Sequence, residues 1–254
     1  MLVAADNLTA SQPVVAQALA DLDPRPLQEL ARRVEQAGAD IIDINPGYLP
    51  PKRHDRMAFM VEAVQAATLL PLILDSPSAP VLARGLAVCE RPPILNACTL
   101  EPAKLKEILP LAAAHDLDLV VLLLDARSFP PPTLEDKLAL ALELRERALA
   151  AGVAEHRLIF DPVLPNLSWP EAYVQVGAAA QAVRLMAGGA IFEAPARTMA
   201  GLSNLRSGYR RVFPPRVEEV ALSLLAGAGL HLALADVLQP ALQETCRLLR
   251  LMHS

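Results

Sequence analysis

Aspartate and asparagine recur in this chain at one kind of place, at or just after the end of an apolar, β-branched run. "DIIDINPG" delivers Asp43 and Asn45 ahead of Pro46 and Gly47, "LPLILDS" delivers Asp75, and "PPILNAC" carries Asn96. "LDLVVLLLD" closes on Asp125, "RLIFDPVL" carries Asp161 and Pro162, "RTMAGLSN" ends in Ser203 and Asn204, and "GLHLALAD" ends in Asp236. Any one of them alone reads as a helix N-cap or a turn, because short side-chain oxygens satisfy free backbone N–H groups there. The repetition is harder to assign to caps. If the runs are neighbouring strands, short carboxylates and amides gather at one opening. Such a surface is rich in hydrogen-bond acceptors, and its amides donate as well.

The elements that would position these residues follow from the pattern between them. Continuous apolar runs suit strands covered on both faces, as in a parallel sheet. With "LVAAD" near Leu2, the runs number eight. The intervening segments have helical period. In "DPRPLQELARRVEQAGAD", Asp23 is placed to cap, Pro24 to take the first helical position, and Leu27, Leu30, Ala31 and Val34 to form one stripe before Gly38 ends it. "TLEDKLALALELRERALAAG" repeats the plan with Thr133 as cap and Gly152 as stop, and "PPRVEEVALSLLAGAG" and "QPALQETCRLLRLM" follow. Pro110 predicts a kink or an early end in "LKEILPLAAAHD". Eight strands, each followed by a helical segment, predict a (β/α)8 TIM barrel, an α/β fold forming one domain over residues 1–254. An open doubly wound sheet is the rival, but no G-x-G-x-x-G turn occurs. "FPPPT" at Phe129–Thr133 reads as a stiff loop rather than a domain boundary.

In a barrel of this type, sites are built at the C-terminal ends of the strands, so the polar residues would face one mouth. A ring of Asp and Asn with few cations suits a neutral heterocycle that carries both donors and acceptors. A pterin presents such an edge: an amino group, ring N–H groups and a carbonyl. A carboxylate accepts from the amino and N–H pair, and an amide does both jobs.

Other function classes find little support. The chain has a net charge of −5 and no basic block, which argues against nucleic acid. No apolar run is long enough to span a bilayer, and "MLVAADNL" lacks the basic start of a signal peptide. Cys89, Cys98 and Cys246 are far apart and match no C-x-x-C pattern, so a reduced cytoplasmic chain is expected, with Cys98 a small buried thiol. The histidines are scattered without ligand spacing, so no directly bound metal is expected. No G-x-S-x-G nucleophile elbow occurs. Arg206, Arg210 and Arg211, near Gly201 and Gly208, could meet an anionic tail or a partner protein, or could simply be solvated.

In order along the chain, "GADIIDINPG", "LILDS", "ILNACT", "LIFDPVLPNL" and "GLSNLRSG" resemble the strand ends of pterin-binding barrels. Within that superfamily they are most similar to methyltetrahydrofolate:corrinoid methyltransferases, the stand-alone relatives of the folate domain of cobalamin-dependent methionine synthase. The resemblance implies that Asp75, Asn96 and Asp161 bind the pterin ring, with Asp43, Asn45 and Ser203 in the same mouth, and that Asn204 lies beside the N5 atom bearing the methyl group. It implies methyltetrahydrofolate or tetrahydrofolate as substrate, and a homodimer. With no D-x-H-x-x-G signature in the chain, the corrinoid (cobalamin) is expected on a separate corrinoid protein. Physically, N5 is a poor leaving group unless positive charge there is stabilised, and an amide hydrogen-bonded to N5 in the transition state does this. The chain departs from the family in "AADNLT", where relatives carry a glycine–glutamate–arginine stretch and an asparagine, and in "DARSFPPPT" and "LRSGYRR". Two other readings remain. One is a dihydropteroate synthase-like enzyme, opposed by Asn204 and Leu205 standing where basic residues are usual. The other is a non-catalytic pterin-binding or corrinoid-docking subunit.

Overall fold

The computed structural model describes residues 1–207 and 212–253, with nothing described of the His253 side chain. Eight parallel strands pair in chain order and close into a barrel. They are β1 (Leu2–Thr9), β2 (Ile41–Asn45), β3 (Leu72–Asp75), β4 (Ile94–Cys98), β5 (Leu119–Leu122), β6 (Leu158–Asp161), β7 (Arg197–Gly201) and β8 (Leu232–Ala235). Closure is made by β1 against β8, with Leu2 opposite Leu232 and Ala5 opposite Ala235. The expected (β/α)8 TIM barrel is therefore the fold.

Strand side chains alternate between two apolar environments. Val3, Ile42, Ile44, Leu74, Leu95, Val121 and Phe160 belong to the large core between sheet and helices. The intervening residues Ala4, Ile41, Ile73, Val120, Ile159, Met199 and Leu232 pack together inside the barrel. This double burial explains why the strands read as unbroken apolar runs.

The helices are α1 (Pro13–Asp21), α2 (Arg25–Gln36), α3 (Asp55–Gln65), α4 (Ala79–Leu86), α5 (Pro102–Ala114), α6 (Leu134–Ala150), α7 (Ala172–Ala187), α8 (Arg216–Gly227) and α9 (Pro240–His253). The stripe Leu27, Leu30, Ala31 and Val34 of α2 is buried as its spacing requires, each large side chain contributing about 1.5–3 kcal/mol. Thr133 caps α6, accepting the Asp136 N–H at 3.2 Å, and Gly152 follows with φ +89°. Gly85 lets α4 sit close, since a Cβ there would lie 2.6 Å from Met57 Cγ.

Three expectations need adjustment. Pro24 precedes α2 rather than opening it, although Asp23 does accept the Arg25 N–H at 3.1 Å. α5 runs through Pro110 to Ala114, so the proline does not end it. α1 is an addition to the expected helices, although Pro13 stands at its start and Val15, Ala18 and Leu19 form its buried stripe.

Candidate functional site

Two residues beyond the barrel's inner apolar layer, the alternation delivers a second layer that opens to solvent. Asp6 follows Ala4, Asp43 follows Ile41, Asp75 follows Ile73, Asn96 follows Ile94, Asp161 follows Ile159 and Gly201 follows Met199. Together with Leu122 and Leu234 these residues line a cavity of about 490 Å³ at the C-terminal mouth. Asn45, Ser203, Asn204, Arg206, Glu218, Asp236 and Gln239 complete much of its wall. All the pterin residues expected from the sequence are thus brought together.

On the β2–β6 side, Asn45 Nδ2 donates to Asp75 Oδ2 at 2.9 Å, and its own Oδ1 accepts the Gly47 N–H at 2.9 Å. Gly47 has φ +69°, which turns the chain tightly enough for that bond. Asp161 accepts the Val163 N–H at 2.7 Å. Behind it lies Lys137, fully buried, with Nζ donating to the Pro162 carbonyl at 2.7 Å. Asp43 Oδ1 and Asn96 Oδ1 are buried and accept no hydrogen bond. A buried acceptor without a donor is costly, and such atoms lining a cavity fit a ligand that brings donors.

Burial sets the protonation of these acids. It pushes Asp75 up to about 6, against the Asn45 hydrogen bond and Lys104. It pushes Asp161 up to about 7, against the Val163 N–H and the Lys137 ammonium. Asp43 is raised well above the usual carboxylate range by burial and by Asp75. Lys137 is pulled down to about 8 by burial, with Asp161 opposing.

On the β7–β8–β1 side, a 3-10 turn over Leu202–Arg206 carries Ser203 and Asn204, held down by the buried side chains of Leu202 and Leu205. A Cβ at Gly201 would lie 3.5 Å from Asn204 Nδ2, so the amide lies over a bare backbone. Arg206 Nε donates to Glu218 Oε1 at 2.6 Å, and Glu218 is only 1% exposed. Gln239 bridges Glu218 and Asp236, and Asn7 donates to Asp236 in turn. Arg206 therefore lines the cavity while committed to a buried partner.

Some residues fall elsewhere. Asp125 is outside the mouth, because β5 ends at Leu122 and Asp125 closes its own turn, accepting the Arg127 and Phe129 N–H groups at 2.9 Å each. Arg210 and Arg211 lie outside the described residues. Cys98 is a buried thiol, pushed up to about 12 by burial. Among the described residues no cluster of three or more His, Cys, Asp or Glu is arranged to hold a metal, and no helix is long and apolar enough to cross a membrane. Sequence reasoning left Asp6, Glu218 and Gln239 out of the site. Asp6 was findable from the two-residue step beyond Ala4, whereas Glu218 and Gln239 come from α8 and the segment after β8 and carry no local signal.

The family described as pterin binding enzyme matches residues 7–234. A methylcorrinoid:tetrahydrofolate methyltransferase from Eubacterium limosum is 29% identical over 170 residues, 66% of this chain and 62% of that relative. The aligned part is thus under two thirds of the relative's length. Dihydropteroate synthase from Xanthomonas albilineans, solved with 7,8-dihydropteroate, superimposes with a TM-score of 0.72 at 20% identity, covering 100% of this chain and 94% of that one. The Yersinia pestis dihydropteroate synthase, in a sulfonamide complex, gives 0.71 at 17% identity, covering 99% and 93%. At such identities the two synthases show a shared fold.

Proposed function

The chain belongs to the pterin-binding enzyme family, and on that premise we propose that it moves a methyl group between N5 of a tetrahydrofolate-type pterin and the cobalt of a corrinoid carried by a second protein. The observation that carries this reading is the opposition of two walls in one cavity. Two buried oxygens without donors, Asp43 Oδ1 and Asn96 Oδ1, stand on one side, and the amide of Asn204 stands on the other. The named function of the Eubacterium limosum relative supports the same chemistry.

In this reading Asp75, Asn96 and Asp161 take the amino and ring N–H groups of the pterin, and Asn45 keeps Asp75 aimed by its 2.9 Å bond. Asn204 hydrogen-bonds N5 as positive charge grows there, a contact that strengthens in the transition state. Six acidic and two basic side chains line the cavity among the described residues, and those acids that are ionised favour a cationic N5. The corrinoid enters as a substrate that gives or takes the methyl group, and the chain needs no nucleophile of its own.

Dihydropteroate synthesis is the second reading, favoured by the shared fold. Against it, Gly201–Arg206 holds no lysine, and Arg206 is already paired with Glu218. One comparison of products separates the two. Incubation with methyltetrahydrofolate and reduced cobalamin should give methylcobalamin, and incubation with p-aminobenzoate and dihydropterin pyrophosphate should give no pteroate. The reverse pattern would overturn the methyl-transfer reading.

A further inference from the structure

Methyl transfer at N5 leaves a proton to be placed, and any group assigned to that task rests on the methyl-transfer reading. When N5 of the reduced pterin gains a methyl group, its N–H bond breaks and the proton must leave. In the opposite direction N5 gains a proton as the methyl group departs. The Asn204 amide neither stores nor releases a proton near neutral pH. The proton therefore needs a titratable group in the same cavity.

Most carboxylates there are occupied. Asp75 holds the Asn45 amide at 2.9 Å, and Asp161 holds the Val163 N–H at 2.7 Å with Lys137 behind it. Asp236 accepts from Asn7, Leu238 and Gln239, and Glu218 is paired with Arg206 at 2.6 Å. Asp43 stands on the pterin side, against Asp75. Asp6 is left. It lines the cavity from the β1 edge, as Ser203 does, and the Ser203 hydroxyl is near enough to favour its carboxylate form. Ser203 is the residue before Asn204.

We propose that Asp6 holds the N5 proton, exchanging it with N5 through the Ser203 hydroxyl. In the direction that methylates the pterin, the N5–H bond breaks and an O–H bond forms on the Asp6 carboxylate. In the reverse direction the carboxyl returns that proton to N5. The surroundings suit the role. Burial, together with Asp236 from the end of β8 and Glu218 from α8, raises the carboxyl to about 7, against Ser203 and Arg206 on the 3-10 turn. Asp43 faces it from β2. A group half protonated near the working pH both takes and gives a proton readily.

The test uses the full chain and its Asp6→Asn, Asp6→Glu and Asp43→Asn variants, with tetrahydrofolate and free methylcobalamin as probes. Two quantities are followed: the transfer rate at saturating tetrahydrofolate against pH, and the carboxyl titration by 13C NMR in tetrahydrofolate and 5-methyltetrahydrofolate complexes. In the methylating direction the wild-type rate should fall as pH drops through about 7, because the carboxylate is then already protonated. Asp6→Asn should lose about a hundredfold in rate and lose that pH dependence, while tetrahydrofolate affinity changes by less than about threefold. Asp6→Glu should restore the pH dependence. Asp43→Asn should retain it. The Asp6 titration should differ between the N5–H and N5–CH3 ligands. Unchanged rate and profile in Asp6→Asn, a parallel loss of affinity and rate, or the same Asp6 titration with both ligands would each overturn the proposal. If the wild type transfers no methyl group, the methyl-transfer reading fails, and the NMR comparison still decides whether Asp6 senses the N5 proton.

Discussion

The two ends of the barrel use aspartate in opposite ways. At the N-terminal ends of the strands, Asp118 lies between two arginines, with Arg197 at 2.7 Å and Arg157 at 3.3 Å. Burial alone would push its carboxyl up, but the hydrogen bonds to Arg197 and Arg157 outweigh it and hold the group below the usual range. At the C-terminal mouth, burial raises Asp6, Asp75 and Asp161 to about 7, 6 and 7, and no arginine holds any of them down to the usual range. The same residue type is neutralised by the fold at one end and left for a ligand at the other. Acids whose burial is not compensated are costly to fold, so the mouth is where stability has been given up for binding.

The contrast sets a series of tests, the largest effect first. Asn204→Ala should lower the methyl-transfer rate about 100- to 1000-fold, with tetrahydrofolate affinity within about threefold, because the amide acts in the transition state. Single-turnover kinetics and a binding titration check this, and equal losses in both would move Asn204 into the pterin-binding set. Asp161→Ala or Asp75→Ala should instead weaken tetrahydrofolate binding by roughly ten- to a hundredfold, since pterin N–H groups lose their acceptors. Isothermal titration calorimetry reads it directly.

The pH dependence sharpens the comparison further. Asp75 and Asp161 titrate at about 6 and about 7 when folded, against an ordinary 3.8. Between those values the folded, ligand-free chain binds more protons than the unfolded one, so these groups make stability fall as pH rises from about 4 to about 7. Pterin donors favour the carboxylate form, so tetrahydrofolate affinity should rise as pH climbs through about 6 to 7, with proton release on binding. Calorimetry in two buffers of different ionisation enthalpy measures that release. The smallest effect belongs to the other end. Asp118→Ala should cost about 1–2 kcal/mol of stability in a thermal melt and leave the pH dependence of binding unchanged. A shifted binding profile in that variant would mean the two ends are not independent.

The barrel was legible because doubly buried parallel strands leave unbroken apolar runs, and each polar stop was visible against them. Reading the polar residue at the end of a run found Asp43, Asn45, Asp75, Asn96, Asp161 and Asn204. The same reading misplaced Asp125, which lies past the end of β5 and serves its own loop. It also left Asp6 out of the site, although the run "LVAAD" ends on it, because β1 continues past it to Thr9 and Asp6 is not the last residue of its strand. The rule with a physical cause is the two-residue alternation, which puts Asp6 in the same layer as Asp43 and Asp161. Arg206 shows a second limit. Its partner Glu218 is twelve residues away on α8, beyond any local pattern, so a residue read as open to an anion or a partner is tied into the wall.

The most direct measurement tracks the methyl group itself. Methyltetrahydrofolate carrying a labelled N5 methyl is mixed with the protein and Co(I) cobalamin, and the products of one turnover are separated. The label should appear on cobalamin as tetrahydrofolate forms in equal amount, with the Co(I) absorbance lost at the same rate. Tight binding of methyltetrahydrofolate with the label still on N5 and the Co(I) absorbance intact would contradict methyl transfer.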